Sequence, residues 1–152
     1  MSTYDMLLNI VEIQQFHNMV DSQTGSNDAT TGDWLRFVGN RCLIVLMKEA
    51  GAAGDDPVIV LQQATAAAGT ASKALTCITN IYHKFSSTSV QSVGTWTRVT
   101  QAAASSYTNT DSAEAYGVIV IPILSSDLDG DNGFDYINCT IADTGSGGAQ
   151  LI

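Results

Sequence analysis

Positive charge is scarce in this chain. Of its 152 residues only 6 are Lys or Arg, against 15 Asp or Glu, and the formal net charge is −9. The cations Arg36, Arg41, Lys48, Lys73, Lys84 and Arg98 are scattered, whereas binding nucleic-acid phosphates needs them clustered. Nucleic acid is therefore not expected as a partner, and neither is an anionic membrane surface. Long apolar runs are missing as well. No stretch approaches the roughly 18 apolar residues of a membrane span. The opening MSTYDMLLNIVEIQQF has neither the basic head nor the apolar run of a secretory signal. Synthesis in a reducing cytoplasm is the corresponding expectation.

Cysteine, histidine and proline are also few. Cys42, Cys77 and Cys139 are odd in number, far apart and each inside an apolar run. They read as small buried hydrophobes, with no spacing that would hold zinc. A nucleophile–histidine site would have to use His17 or His83. No serine stands in a nucleophile-elbow context, and His83 falls on the more apolar face of its segment, where a packed or interface histidine is expected. Glu12, Glu49 and Asp135 are the carboxylates inside strand-like runs that could form a hydrolytic pair. TGSGGAQ (144–150) lacks the lysine and helix of a phosphate loop. Asn138-Cys139-Thr140 matches a glycosylation sequon formally and is read as chance.

What is present is β pattern. Charged residues make up only 14%, against about 25% in an average soluble domain, so the surface leans on Ser, Thr, Asn, Gln, Gly and Ala. RCLIVLMKE (41–49) and PVIVLQQA (57–64) are short apolar runs, expected to pair as a hairpin across AGAAGDD. ALTCITNIYHKF (74–85) alternates, with Leu75, Cys77, Thr79, Ile81, His83 and Phe85 on one face. VGTWTRV (93–99), YGVIVIPIL (116–124) and FDYINCTIA (134–142) complete the clear strands, and DWLRFVG (33–39) adds another. Pro122 sets its end of a strand at an edge, a bulge or a terminus. MLLNIVEIQQFHNMV (6–20) fits a helix nearly as well as two short strands and is read as strands. The long polar loops are 21–32, 64–73 and 100–114, the Ala-rich ones with room for a helical turn.

The expectation is all-β: a β-sandwich of jelly-roll type with about eight strands and long polar loops. Residues 1–30 form an N-terminal segment, as an extended arm or as the first strands. Residues 31–143 form the sandwich, and residues 144–152 a flexible Gly-rich tail.

One acidic stretch invites a metal reading. SSDLDGDNGFDY (125–136) sets Asp127, Asp129, Asp131 and Asp135 within nine residues. In an EF-hand register, position six would be Asn132 instead of Gly and position twelve Asn138 instead of Glu, with a strand where a helix should follow. The stretch therefore reads as a turn, with Asp127 capping a short helical turn and Gly130, Asn132 and Gly133 supplying left-handed positions. No metal ligand, cofactor-binding residue or catalytic residue is assigned, and the chain is not expected to be an enzyme. Trp34, Trp96, Tyr82, Tyr107, Tyr116 and Tyr136 could build a sugar platform, against the simpler expectation that they pack in the core or at an interface.

Four segments together carry a resemblance: TGDWLRFVGNRCLIVLMKEAG (31–51), VIVLQQATAAAGTASKAL (58–75), TWTRV (95–99) and YGVIVIPILSSDLDGDNGFDYINCTIAD (116–143). The pattern is a Gly-Asp-Trp entry strand, a hairpin ending in Gln-Ala-Thr, a Gly loop with Lys-Ala-Leu, and an Asp-rich turn before the last strand. It resembles small virion structural proteins of tailed bacteriophages, of the capsid decoration or cement type. The resemblance implies a location on the capsid exterior. It also implies the major capsid protein as partner and self-association as a trimer or dimer. A neck or tail component, or a carbohydrate-binding sandwich module, is the alternative.

Overall fold

The computed structural model describes residues 20–21, 30–31, 33–48, 58–86, 94–110, 116–142 and 150–151. The segment 6–19, His17, Glu12, Glu49 and the tail residues 143–149 lie outside them. The strands, in chain order, are β1 (Val20–Asp21), β2 (Thr30–Thr31), β3 (Leu35–Arg36), β4 (Arg41–Lys48), β5 (Val58–Ala64) and β6 (Lys73–Ala74). They continue with β7 (Ile78–Ser86), β8 (Thr97–Ala104), β9 (Ser106–Thr108), β10 (Tyr116–Leu124), β11 (Tyr136–Ala142) and β12 (Gln150–Leu151). Among the described residues the only helical pieces are single 3-10 turns at Ser125–Asp127 and Gly130–Asn132.

The chain is all-β, in two antiparallel sheets. Sheet A runs β1-β12-β4-β10-β7-β8. Sheet B has β11 and β5 at its centre, with β2 and β3 along the far side of β11 and β9 and β6 along the far side of β5. Strand β10 shows why the residues form this structure. Its β-branched run alternates strictly, so Ile119, Ile121 and Ile123 point inward and Val118, Val120 and Pro122 outward. The inward set meets Ile44 and Leu46 of β4, Ile59 and Leu61 of β5, and Ile137, Cys139 and Ile141 of β11 in one buried cluster. Burying the two inner faces against each other is what holds the sheets together.

Several sequence expectations change. The runs at 41–49 and 57–64 are strands but not a hairpin: β4 pairs with β10 in sheet A, and β5 pairs with β11 in sheet B. Each takes the partner that buries its inward face, so the two strands lie in different sheets. Of DWLRFVG only Leu35 and Arg36 are strand. The stretch 74–85 is two elements, β6 in sheet B and β7 in sheet A. Its alternation breaks where the β7–β8 register shifts between Ile78 and Asn80, which leaves Ile78 buried and Thr79 exposed. Such an irregularity re-aims side chains locally. The Nε2 of Gln101 donates to the carbonyls of Ile78 and Ser106 there, at 3.1 and 2.9 Å. The loop expected at 100–114 contains most of β8 and all of β9. The Ala-rich stretch 65–72 forms turns closed by Gly69 N–H to Ala66 O, 2.9 Å, and by Thr65 N–H to Thr70 O, 3.0 Å. Pro122 lies on a central strand, but pairing with β7 ends at Val120, so at the proline β4 is the neighbouring strand.

Two chain segments turn the sandwich corner. β6 passes through Leu75 into β7, and β8 passes through Ser105 into β9. Both crossings are tied to one residue of β5: Leu61 donates its N–H to Ser105 O, 2.8 Å, and its carbonyl accepts from Leu75 N–H, 3.0 Å.

Candidate interaction surface

The outer face of sheet A is where the chain departs most from an ordinary soluble surface. On β4, Ile44 and Leu46 point into the core, so Leu43, Val45 and Met47 must point out. They are 56%, 52% and 45% exposed. The register then aligns their neighbours across the sheet. Met47 sits beside Val118 and Val118 beside Lys84; Val45 sits beside Val120 and Val120 beside Tyr82; Leu43 sits beside Pro122. Tyr82 in turn faces Arg98 of β8. The result is an apolar band across β4 and β10 that ends on Tyr82. Same-face pairs of this kind support the sheet, but their outer surface is left to water in the chain alone.

Among the described side chains of β4, β10, β7 and β8, the outward charges are all of one sign. Arg41 and Leu124 are opposite each other at one end of the β4–β10 ladder, and Lys84 and Arg98 border the band on β7 and β8. Among the described outward residues of β4, β10, β7 and β8 there is no Asp or Glu. In a chain with 15 acids and 6 bases that is a strong local bias. The other two cations with described side chains are engaged elsewhere. Arg36 pairs with Asp135 at 3.0 Å, and Lys73 pairs with Asp129 and lies over the Phe134 ring.

The acidic turn has a structural use. The Asp127 carboxylate accepts from Leu124 N–H at 2.8 Å. That makes Asp127 the third residue of the first 3-10 turn, reaching back to cap it. Asp129 accepts from Lys73 and, at 2.8 Å, from Asn132 Nδ2, while its N–H donates to Gln63 Oε1 at 2.9 Å. The Lys73 and Asn132 hydrogen bonds, helped by the Lys73 charge, hold the Asp129 carboxyl below its ordinary range. Gly133 is left-handed, with φ of 77°, whereas Gly130 and Asn132 are not. Among the described residues no group of three His, Cys, Asp or Glu side chains is placed to hold a metal ion.

The remaining candidates are packing groups. His83 is buried, its ring edge-on to Phe85 at 4.6 Å. Asp135 is taken up by Arg36. The thiols of Cys139 and Cys77 are pushed up to about 12, both by burial, with Asp127 adding repulsion at Cys77; burial also raises Cys42. Such thiols are poor nucleophiles. The sequon residue Asn138 is wholly buried and donates to Asp33 O at 3.3 Å. Of the aromatic set, Tyr107 is in the core, and Trp34 lies against Gly69 so closely that a Cβ there would sit 2.5 Å from Nε1. Trp96 and Tyr82 remain exposed.

Sequence reasoning did not single out Leu43, Val45 or Met47. RCLIVLMKE is apolar on both faces, a pattern of strands covered on both sides. In an antiparallel sandwich that double coverage was the available signal for a contact face. No family model, no curated protein and no solved structure matches the chain.

Proposed function

We propose that the chain is a structural protein of a tailed-phage virion, a capsid decoration or cement protein of jelly-roll type that binds the outer shell and stabilises the head. The observation that carries this reading is the apolar outer face that β4, β10, β7 and β8 make in sheet A, with no carboxylate among its described outward residues. Soluble monomers rarely leave a contiguous apolar patch open unless something docks on it. A sheet face also suits another protein surface better than a small molecule, which favours a concave pocket.

The strand order supports the jelly-roll part. Counting β2 and β3 as the first strand, then β4, β5, β7, β8, β9, β10 and β11, sheet B runs first, eighth, third, sixth, and sheet A runs second, seventh, fourth, fifth. That interleaving is the order of a double Greek-key roll, an architecture used by viral capsid domains and lectins. The motif resemblance over residues 31–143 supports the phage part. The partners in this reading are the major capsid protein and further copies of the chain, as a trimer or dimer.

The mechanism is mechanical. A protein that binds the assembled shell and not its dissociated subunits stabilises assembly by mass action, by about 2.7 kcal/mol per site at a free concentration one hundred times Kd. The test is direct: purified shells lacking the chain are mixed with it, sedimented and heated. Co-sedimentation and a higher disruption temperature are expected; a chain left in the supernatant would sink the reading. Electron microscopy of labelled chain separates head from neck or tail. The exposed Trp96 and Tyr82 favour a second reading, carbohydrate binding, which predicts glycan-array signals lost in Trp96→Ala.

A further inference from the structure

We infer that the outer face of sheet A is the seat of the chain on its shell, and that it docks on an apolar patch edged with carboxylates on a different protein. This rests on the cement reading and names the surface and the partner chemistry for it. The charge pattern selects the partner. Arg41, Lys84 and Arg98 edge the band and no described carboxylate lies on it. A second copy laid face to face would bring two cationic margins together with no counter-charge from β4, β10, β7 or β8, which opposes association. Carboxylates around an apolar patch on another protein would match the margin.

Size bears on strength. Four strands about 4.8 Å apart and some 25 Å long make a face of roughly 450–500 Å². Docked on any protein, such a face buries about 1,000 Å² in total, below the 1,200–2,000 Å² typical of a stable pair. Each contact is therefore weak on area alone, and the charge pattern, not the area, selects the partner. Within the band, Val45 and Val120 lie side by side and Tyr82 closes the row beside Arg98. This row is the centre, where truncation should matter most.

The experiment compares wild type, Val45→Glu, the charge reversal Lys84→Glu with Arg98→Glu, and the control Ser126→Glu in the Asp-rich turn. Circular dichroism and thermal melts establish that each variant is folded. Binding to purified shells lacking the chain is measured by sedimentation at low and high salt, and oligomeric state by analytical ultracentrifugation. The expected result is that Val45→Glu and the double reversal each lose at least about tenfold in affinity. Wild-type binding should weaken with salt, Ser126→Glu should bind as wild type does, and Val45→Glu should keep the wild-type oligomeric state. If wild type and Val45→Glu bind shells equally, this face is not the seat, although the cement reading stands. If Val45→Glu dissociates a wild-type oligomer, the occupant is a second copy and the inference fails. If wild type itself does not bind shells, the inference falls together with the reading it rests on.

Discussion

Strand β10 lies between β4 and β7 with Ile121 wholly buried on its inner face, and that position sets a measurable penalty. Ile121→Ala keeps only the β-carbon of the side chain. At about 0.8 kcal/mol per buried carbon group, the lost transfer energy is about 2.4 kcal/mol. A void of some 75 Å³ at about 24 cal/mol per Å³ adds about 1.8 kcal/mol if the sheets do not collapse into it. The sum is about 4 kcal/mol, inside the 2–5 kcal/mol range seen for such truncations. For a domain of this size each kcal/mol moves Tm by about 2–4 °C, so a fall of about 8–16 °C is expected. Val45→Ala is the matched control on the facing strand. Val45 is 52% exposed, so its two methyl groups contribute about 0.8 kcal/mol, a shift of about 2–3 °C. Urea and thermal denaturation of both variants, with unchanged m-values, make the comparison. Equal losses at the two sites, or an Ile121→Ala loss under about 1 kcal/mol, would refute the inward and outward assignment of sheet A.

Three further outcomes are expected. Gly69 and Gly133 both have positive φ, but only Gly69 has a neighbour where a Cβ would go. Gly133→Ala should cost about 1–2 kcal/mol for its conformation, and Gly69→Ala more, with a change in Trp34 fluorescence; equal losses would show that the Trp34 contact carries no weight. The lowered Asp129 carboxyl contributes stability that is present above the ordinary value of 3.8 and lost as pH falls through the lower folded value. Melting from pH 6 downward should therefore show an acid decline that is shallower in Asp129→Asn, and parallel profiles would remove the Lys73–Asp129 pair as a source. With Cys77 and Cys139 pushed up to about 12 and Cys42 also raised, a disulfide reagent at pH 8 should label the folded chain slowly and the guanidinium-unfolded chain fast. Rapid labelling of the folded chain would contradict the burial.

Much of the strand content was legible because the alternation is local. YGVIVIPIL matches β10 residue for residue, and β4, β5 and β11 fall within the runs read for them. Pairing was not legible, since it depends on which inward faces meet across the core. That is why β4 and β5 read as a hairpin and lie in different sheets. TQAAA read as loop because Ala and Gln have low strand preference, yet it forms most of β8, which among the described strands pairs with β7 alone. The candidate surface was hidden for a related reason. Arg41, Lys84 and Arg98 are far apart in sequence and share a face only once β4, β10, β7 and β8 are aligned.

The double tie at Leu61 bears on how the chain reaches this state. A single residue of β5 accepts a hydrogen bond from one corner through its carbonyl and donates one to the other through its N–H, and its side chain is in the core. Leu75 reaches Leu61 with the pairing of the neighbouring strands β5 and β6, a local closure, whereas Ser105 is far along the chain, so that closure is the slower one. If the packing of Leu61 forms before that slower closure, Leu61→Ala should slow folding as well as weaken the product, and stopped-flow refolding would give a high φ-value; a φ-value near zero would put it after the rate-limiting step.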